Sequence, residues 1–199
     1  MSVAPLLIDT PRLRLIATHE GLADAVAAFY RRNMTHFAPW DPPLPPDHTE
    51  LSQVTRSLAD GHAAFESGLG HRWWLTEREW PGLVIGSVHL SNIVRGAFQS
   101  CQLGYALDES LQGRGLMHEA LRAAIDQAFS INIALHRIQA AVRPENQRSI
   151  AVVKRLGFRD EGLARDYLYI DGGWRDPRIY TLTHSGFVPP EHWPRKDPA

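Results

Sequence analysis

A glycine-rich turn, Gln112-Gly113-Arg114-Gly115, constrains the fold of this chain most, because it lies between a strand-like segment and a periodic helix. Residues 103–107, Leu-Gly-Tyr-Ala-Leu, alternate as a strand does, and apolar residues recur from Leu116 to Phe129 with helical spacing. The first N–H groups of such a helix have no internal partner and carry the positive end of the helix dipole, and glycines let a phosphate approach them. The turn therefore predicts an anion site.

The spacing of this turn excludes two familiar glycine motifs. The dinucleotide fingerprint needs a third glycine and the P-loop needs Gly-Lys-Ser/Thr after four intervening residues, and neither is present. The segment resembles the acetyl-CoA pyrophosphate loop of the GNAT superfamily of N-acetyltransferases, whose pattern is Gln/Arg-x-x-Gly-x-Gly/Ala. Gln112 and Gly115 match it, whereas Met117 departs from the small final residue. Taken alone, a plain helix-starting turn remains the alternative interpretation.

Further segments extend the resemblance to one GNAT branch, the RimJ type of ribosomal-protein alanine N-acetyltransferases. They occur in that branch's order: Ser-Asn-Ile-Val-Arg-Gly-Ala-Phe at 91–98, Gly-Arg-Gly-Leu-Met at 113–117, His-Arg-Ile at 136–138, Arg-Leu-Gly-Phe at 155–158 and Tyr-Leu-Tyr-Ile-Asp-Gly-Gly-Trp-Arg-Asp at 167–176. The departure at Met117 is included, since this branch typically reads Gly-Leu-Met there. The resemblance runs from about Thr10 to about Leu182, nearly the whole chain.

Length and composition agree with this resemblance. The chain of 199 residues predicts one compact domain, 1–187, followed by a polar, proline-rich tail, 188–199, that we expect to be mobile. A single cysteine, Cys101, no signal-peptide pattern and no apolar run near ~18 residues predict a cytoplasmic protein outside the membrane. The chain has 21 basic and 22 acidic residues, so its net charge is −1 and we expect no basic surface field that would attract nucleic acid. A ribosomal partner would be met through its protein tail or before assembly.

The local patterns predict an α/β chain. The expected elements are a strand at 12–16, helices at 22–30 and 49–66 around a proline-rich loop at 39–46, antiparallel strands at 71–77, 82–92 and 97–107 with turns at Pro81-Gly82 and Arg95-Gly96, the helix from Leu116, a strand at 137–142, a helix to 156 capped by Asn146 and ended by Gly157, and a hairpin of 158–170 and 174–183 turned at 171–173. The resemblance implies the GNAT fold: a mixed, mostly antiparallel sheet of about seven strands with helices on both faces. The strands around Leu103 and Ala140 should diverge and leave an acyl-CoA cleft.

The resemblance implies which residues bind the acyl-CoA. The pantetheine arm would bond the strand backbone at Leu103, Gly104 and Tyr105, as an added strand does. The diphosphate would meet the turn and first helical residues, Gln112, Gly113, Arg114, Gly115, Leu116 and Met117. Arg114 could add charge there or be a solvated loop arginine. Asn146 and Ser149 match the family's Asn-x-x-Ser element, which contacts the cofactor near its sulfur.

Acetyl transfer to an amine needs a neutral nucleophile, an oxyanion donor and a proton for the thiolate. Backbone N–H groups near Leu103 are the expected oxyanion donors. Ser149 is the candidate general acid, although it could be an ordinary first-turn residue, and Asn146 could be only a helix cap. Many GNAT enzymes carry a tyrosine where this chain has Val153, so the acid would be Ser149 or a bound water.

The general base is less defined, because Gln102 occupies the position where related sequences carry a glutamate. An α-amino group, with a pKa of about 7.7–8.0, needs less help than a lysine at about 10.4, so the sequence favours an α-amine acceptor. Asp166 is the candidate base or amine anchor. Glu119 is a weaker candidate that could instead support the phosphate loop, and His89 is more typical of a structural histidine.

We therefore expect direct transfer from acetyl-CoA to an α-amine, foremost the N-terminal alanine of a ribosomal or other protein. Trp40, Tyr105 and Tyr167 would line the peptide entrance, or belong to the core. Cys101 has no activating partner for a covalent route, no metal-ligand spacing stands out, and exposed strand edges allow a homodimer. The alternatives are a small-amine acetyltransferase, acting on an antibiotic or polyamine, and a non-catalytic acyl-CoA-binding module.

Overall fold

The computed structural model describes residues 4–193. The strands are β1 Leu7–Asp9, β2 Leu13–Ala17, β3 His71–Glu77, β4 Trp80–Val94, β5 Ser100–Leu107, β6 Arg137–Val142, β7 Arg159–Leu163, β8 Leu168–Ile170, β9 Gly173–Arg175 and β10 Arg178–Thr183, and the helices are α1 Ala23–Phe37, α2 Leu51–Glu66, α3 Leu116–Phe129 and α4 Gln147–Arg155. Over this part of the chain the main sheet has eight strands in the order β1-β2-β3-β4-β5-β6-β10-β7, and β8 pairs with β9 alone. The predicted class, a mostly antiparallel sheet with a diverging strand pair, is confirmed.

Helices cover both faces of the sheet, and successive side chains of a strand point to opposite faces. On β3, Trp73 and Leu75 pack into the cluster that contains the apolar stripe of α3, whereas Trp74 packs with α1 on the other face. All three side chains are buried, because a strand covered on both faces has no solvent-facing side. The sheet is therefore the middle of three layers.

Helix α1 extends seven residues beyond the predicted end at Tyr30, to Phe37. The prediction stopped too early because a polar run follows Tyr30. In the structure that run is held by tertiary contacts: Arg32 forms an ion pair with Asp108, and the Asn33 side chain accepts the backbone N–H of Glu109 at 3.0 Å. These contacts fix the end of α1 beside the segment that leads to the glycine-rich turn.

Two other predictions about the strands were wrong. The turn between β3 and β4 is at 78–79, whereas Pro81-Gly82, where it was expected, lies within β4, and the pairing with β3 is irregular there. The final hairpin is two nested pairs: β7 pairs with β10, and the turn at 171–172 joins β8 to β9 in a separate small hairpin. The strand β1 is an addition to the expected strands, and with it the main sheet has eight strands, which agrees with the prediction of about seven.

The remaining described residues, Val188 to Trp193, form no helix or strand, and one turn bond joins Trp193 N–H to the Pro190 carbonyl at 3.0 Å. The rest of the predicted mobile tail, 194–199, lies outside the described residues. Within 4–193, every helix is too short or too polar to cross a membrane.

Candidate functional site

The parallel strands β5 and β6 separate after a short pairing. They are in register only from Ser100 opposite Arg137 to Gln102 opposite Gln139. Beyond Gln102 the β6-facing edge of β5 has no strand partner, so its backbone groups face a cavity of about 540 Å³. Leu103, Gly104 and Tyr105 line that cavity, as the resemblance implied for an acyl-CoA cleft. We call it the acceptor cavity.

A glycine is required at position 104 by packing against a neighbouring strand, which the sequence did not reveal. A Cβ at this position would lie 2.2 Å from His89 Cε1 on the neighbouring strand β4, where His89 is its cross-strand partner. The glycine therefore makes room for the imidazole. Burial, together with the charge of Arg72, lowers the pKa of His89 to about 3, so this side chain is neutral and has little capacity to act as a base.

A second cavity of about 350 Å³ lies against the glycine-rich turn. Gly113 and Gly115 both have left-handed backbone, with φ of 77° and 75°, and Gly115 is the N-cap of α3 without a side-chain cap. Leu116 and Met117 bury their side chains, so only their backbone can face a ligand. The turn thus leaves the N–H groups of the first helical turn for an anion. We call this the donor cavity.

The positive charge at the donor cavity comes from α4 and not from the turn. The Arg114 guanidinium points to Glu77, with 3.4 Å between Nη2 and Oε1, and its side chain is outside the lining of both cavities. Arg148 and Arg155 line the donor cavity instead. Neither arginine was predicted at the site, although their spacing of seven residues places them on one face of a helix.

A hydrogen-bond chain connects the two sides of the donor cavity. Gln112 Nε2 lies 2.7 Å from His36 Nε2 on α1, and the Gln112 side-chain oxygen accepts a bond from Arg148 Nη1 on α4. Gln112, expected as a phosphate-loop residue, therefore also fixes Arg148 at the cavity. Both the amide and the guanidinium are available to an anion on the turn.

Tyr105 and Ser149 meet where the two cavities adjoin. The Tyr105 hydroxyl lies 2.5 Å from Ser149 Oγ and donates to the Ser149 carbonyl at 3.3 Å. Burial raises the pKa of Tyr105 to about 12, although the bond with Ser149 opposes this, so the phenol stays protonated. Six residues line both cavities: Trp40, Asp41, Tyr105, Ala106, Asn146 and Ser149.

Asn146 is the N-cap of α4, as predicted, and it also lines both cavities. Its side-chain oxygen accepts the Ser149 N–H at 3.0 Å, which fixes the first turn of α4. Trp40 lines both cavities, with the Arg143 guanidinium 5.4 Å from its ring centre. These contacts bring the predicted residues Asn146, Ser149 and Trp40 together with Tyr105.

Two predicted site residues are placed elsewhere. Asp166 is exposed in the loop between β7 and β8, outside the lining of both cavities, and its N–H donates to Asp176 Oδ1 at 2.8 Å. The structure does not bring Asp166 to Ser149. The Tyr167 hydroxyl accepts bonds from the Gln102 and Gln139 amides, each at 3.3 Å, beside the acceptor cavity and not within its lining.

Glu119 holds the glycine-rich turn in place through Arg12. It accepts the Thr10 hydroxyl at 2.6 Å, the Arg12 N–H at 2.8 Å and Arg12 Nε at 2.7 Å, and the same arginine donates to the Arg114 carbonyl. Burial by itself raises the pKa of Glu119, but these bonds outweigh it and hold the pKa below its ordinary value. Of the two roles considered, the geometry favours support. Burial raises the pKa of the Cys101 thiol to about 12, which makes it a poor nucleophile.

Asp41 is a group whose importance the sequence did not reveal. It follows α1 in the proline-rich loop and is half-buried where the two cavities adjoin. Burial raises the pKa of Asp41 to about 6, against the opposing charges of Arg72 and His48. Neither its burial nor the proximity of Arg72 follows from local sequence.

Known proteins are similar to this chain in sequence and in fold. Residues 12–159 match the model of the family described as Acetyltransferase (GNAT) domain. The chain is 36% identical over 188 residues, 94% of its length and 96% of the relative's, to the [Ribosomal protein uS5]-alanine N-acetyltransferase of Escherichia coli K12.

Two solved structures are also similar. The ribosomal-protein-S5-alanine acetyltransferase of Vibrio fischeri superposes with a TM-score of 0.88 at 30% identity, covering 93% of this chain and 100% of that one. Mycobacterium smegmatis RimJ in complex with CoA-disulfide gives a TM-score of 0.80 at 30% identity, covering 86% of this chain and 81% of that one.

Proposed function

Because the chain belongs to the GNAT acetyltransferase family, we propose that it transfers an acetyl group directly to the α-amino group of a protein N-terminus, foremost an N-terminal alanine of a ribosomal protein. It is an acyltransferase, and acetyl-CoA is its donor. The observation that carries the proposal is the meeting of two cavities at the Tyr105–Ser149 pair. One cavity suits the donor and the other admits the acceptor.

The donor cavity fits the diphosphate of acetyl-CoA. The backbone N–H groups at Gly115, Leu116 and Met117 face an anion at the positive end of α3, and Arg148 adds a guanidinium. The unpaired edge of β5 would hold the pantetheine arm through its backbone groups. When bound, acetyl-CoA supplies a thioester carbonyl as the electrophile.

The Tyr105–Ser149 pair supplies a proton donor to the sulfur. With the phenol protonated and donating to Ser149 Oγ, the Ser149 hydroxyl hydrogen is free to turn toward the leaving thiolate. Unpaired backbone N–H groups of β5 near Leu103 are the proposed donors to the oxygen that gains charge. The proposal assigns no covalent role to the protein, in agreement with the buried thiol of Cys101.

The charge of the acceptor cavity favours a peptide over a polyamine. A polyamine carries several ammonium groups, and a site for it needs several carboxylates. Among the described residues that line this cavity, three are arginines and one is a carboxylate, Asp41. Arg143 and Arg175 both pair with Asp171 outside the lining, at 3.8 and 3.2 Å, so the wall is polar rather than strongly acidic.

An α-amine fits this cavity better than a lysine side chain. Gln102 lines the acceptor cavity. Its side chain is an amide, which does not take a proton and so does not act as a general base. An α-amine near pH 7 is already neutral in part, whereas a lysine almost never is. The relatives named for acetylating a ribosomal-protein alanine support the choice of acceptor. The cytoplasm, where such acceptors are made, is the proposed site of action.

Thiol release tests the proposal. The protein is mixed with acetyl-CoA and with alanine-led or serine-led peptides whose α-amine is either free or blocked, each containing one lysine. We expect release only with free α-amines, alanine foremost, and mass spectrometry should place the acetyl group on the first residue. Release only with small amines, binding of acetyl-CoA without release, or acetylation of the α-blocked peptide would each overturn it.

A further inference from the structure

One carboxylate serves both cavities. Of the described residues that line the donor or the acceptor cavity, Asp41 is the only aspartate or glutamate, and it lines both. It shares this position with Tyr105 and Ser149, so it faces the point where donor and acceptor must meet. A cationic amine entering the acceptor cavity therefore has one carboxylate to bind.

The backbone holds Asp41 in place. Its N–H donates to the Phe37 carbonyl at 3.0 Å, and the N–H of Trp40 donates to the same carbonyl at 2.8 Å, so both residues continue the last turn of α1. The prolines that follow, Pro42 and Pro43, restrict the backbone at and after this position. The backbone at Asp41 is therefore held at the cavity without depending on a ligand.

Asp41 is surrounded by histidine, tyrosine and arginine side chains. The charged and titratable side chains that act on it or share one of its two cavities are Tyr30, His36, His48, Arg72, His89, Tyr105, His118, Arg143, Arg148, Arg155 and Arg175. Arg72 and His48 favour the ionised carboxyl, whereas burial disfavours it, and burial dominates. Such a carboxyl group gains and loses a proton near neutral pH.

We propose that Asp41 binds the α-ammonium group of the acceptor and takes its proton, an assignment that rests on the proposed transfer to an α-amine. The other groups considered as bases are placed less well. Asp166 is outside both linings, Glu119 is engaged by Thr10 and Arg12, and His89 is neutral and packed against Gly104.

The proton balance closes with Asp41 in this role. The acceptor enters as an ammonium, its first proton passes to an Asp41 carboxyl oxygen, and the neutral nitrogen forms a C–N bond with the acetyl carbon as the C–S bond breaks. The Ser149 hydroxyl gives its proton to the departing sulfur, and the second proton of the nitrogen replaces it on Ser149. Overall the amine loses two protons, the thiol gains one, and Asp41 releases one to solvent.

The pH dependence of the Asp41→Asn variant tests this assignment. Without the carboxylate, only the acceptor fraction that is already neutral reacts, and for an α-amine of pKa about 7.8 this is about one part in 20 at pH 6.5 and most of it at pH 8.5. We expect kcat/KM for an alanine-led peptide to fall about 20-fold at pH 6.5, with the deficit largely lost by pH 8.5. The variant should also bind the peptide more weakly in the presence of coenzyme A, as calorimetry would measure.

Asp47→Asn is the matched control, because Asp47 is an exposed acid in the same loop, outside both linings. It should match the wild type at every pH, and Asp41→Glu should restore part of the activity. The Asp41→Asn protein should bind coenzyme A normally, which separates loss of the base from loss of the fold.

The outcomes separate this assignment from the proposed function. Equal pH profiles for Asp41→Asn and the wild type would overturn the role of Asp41 while α-amine transfer stands. So would a deficit that stays constant with pH or is accompanied by lost coenzyme A binding, since both indicate a structural role. A wild-type protein that acetylates no free α-amine would overturn both.

Discussion

The Tyr105 hydroxyl lies 2.5 Å from Ser149 Oγ and joins the unpaired edge of β5 to the first turn of α4. This contact lies where the donor and acceptor cavities adjoin. It depends on two local features, the divergence of β5 from β6 and the Asn146 cap that starts α4. The chemistry proposed for the site depends on this pair.

Replacing Ser149 by Ala should remove the proton donor and leave the donor cavity intact. We expect kcat to fall about 100-fold, while the dissociation constant for coenzyme A changes little, because general-acid contributions are of this size. Tyr105→Phe should cost about fivefold, the value of one hydrogen bond that orients the serine. Ser52→Ala, an exposed position on α2, is the control. Full activity in Ser149→Ala would assign the proton to water.

Arg148→Gln should weaken coenzyme A binding. A guanidinium bond to a phosphate contributes about 1.5–3 kcal/mol, so we expect at least a tenfold higher dissociation constant by calorimetry and a smaller dependence on salt. Arg122→Gln, an exposed arginine on α3 outside both linings, should change neither. Unchanged affinity in Arg148→Gln would place the diphosphate away from α4.

Gly104→Ala should destabilise the protein through one clash. The added methyl group would meet the His89 ring, and overpacking of this kind costs about 1–3 kcal/mol of unfolding free energy, which urea denaturation would measure. In a His89→Ala background the same change should cost much less, because the ring is gone. Equal costs in the two backgrounds would show that Gly104 is required for another reason.

Glu119→Gln should lower stability at neutral pH by about 1–2 kcal/mol, because the Arg12 pairing loses its charge. The pKa of Glu119 is depressed in the folded protein, so its contribution is present above the unfolded pKa and is lost as pH falls through the lower folded value. The gap between variant and wild type should therefore persist at pH 5–7 and shrink below about pH 4. A gap independent of pH would exclude the charge as its source.

Local pattern sufficed where local chemistry decides the structure. The turn at Gly113 and Gly115, the stripe of α3 and the Asn146 cap were all read from the sequence, since left-handed glycines and caps act over a few residues. The diverging strands came from the family resemblance and not from residue pattern, because pairing between β5 and β6 is set by distant segments.

What the sequence missed depends on contacts between distant residues. The end of α1 could not be placed, because Arg32 and Asn33 are satisfied only by the segment at 108–109. Arg114 was predicted either to contact the phosphate or to be a solvated loop arginine, but its ion pair with Glu77 forms between distant segments and does not follow from local pattern. Asp41 was visible as one acid in a proline-rich loop, but its burial beside Arg72 is a property of the fold.

A crystal structure with a bisubstrate ligand, in which an alanine-led peptide is joined through its α-nitrogen and an acetyl linker to coenzyme A, tests the central claim most directly. We predict the diphosphate on the backbone amides of Gly115 to Met117 beside Arg148, the sulfur within reach of Ser149 Oγ, and the peptide nitrogen next to Asp41. A ligand whose diphosphate binds elsewhere, or whose peptide leaves the cleft away from Trp40 and Asp41, would contradict the account.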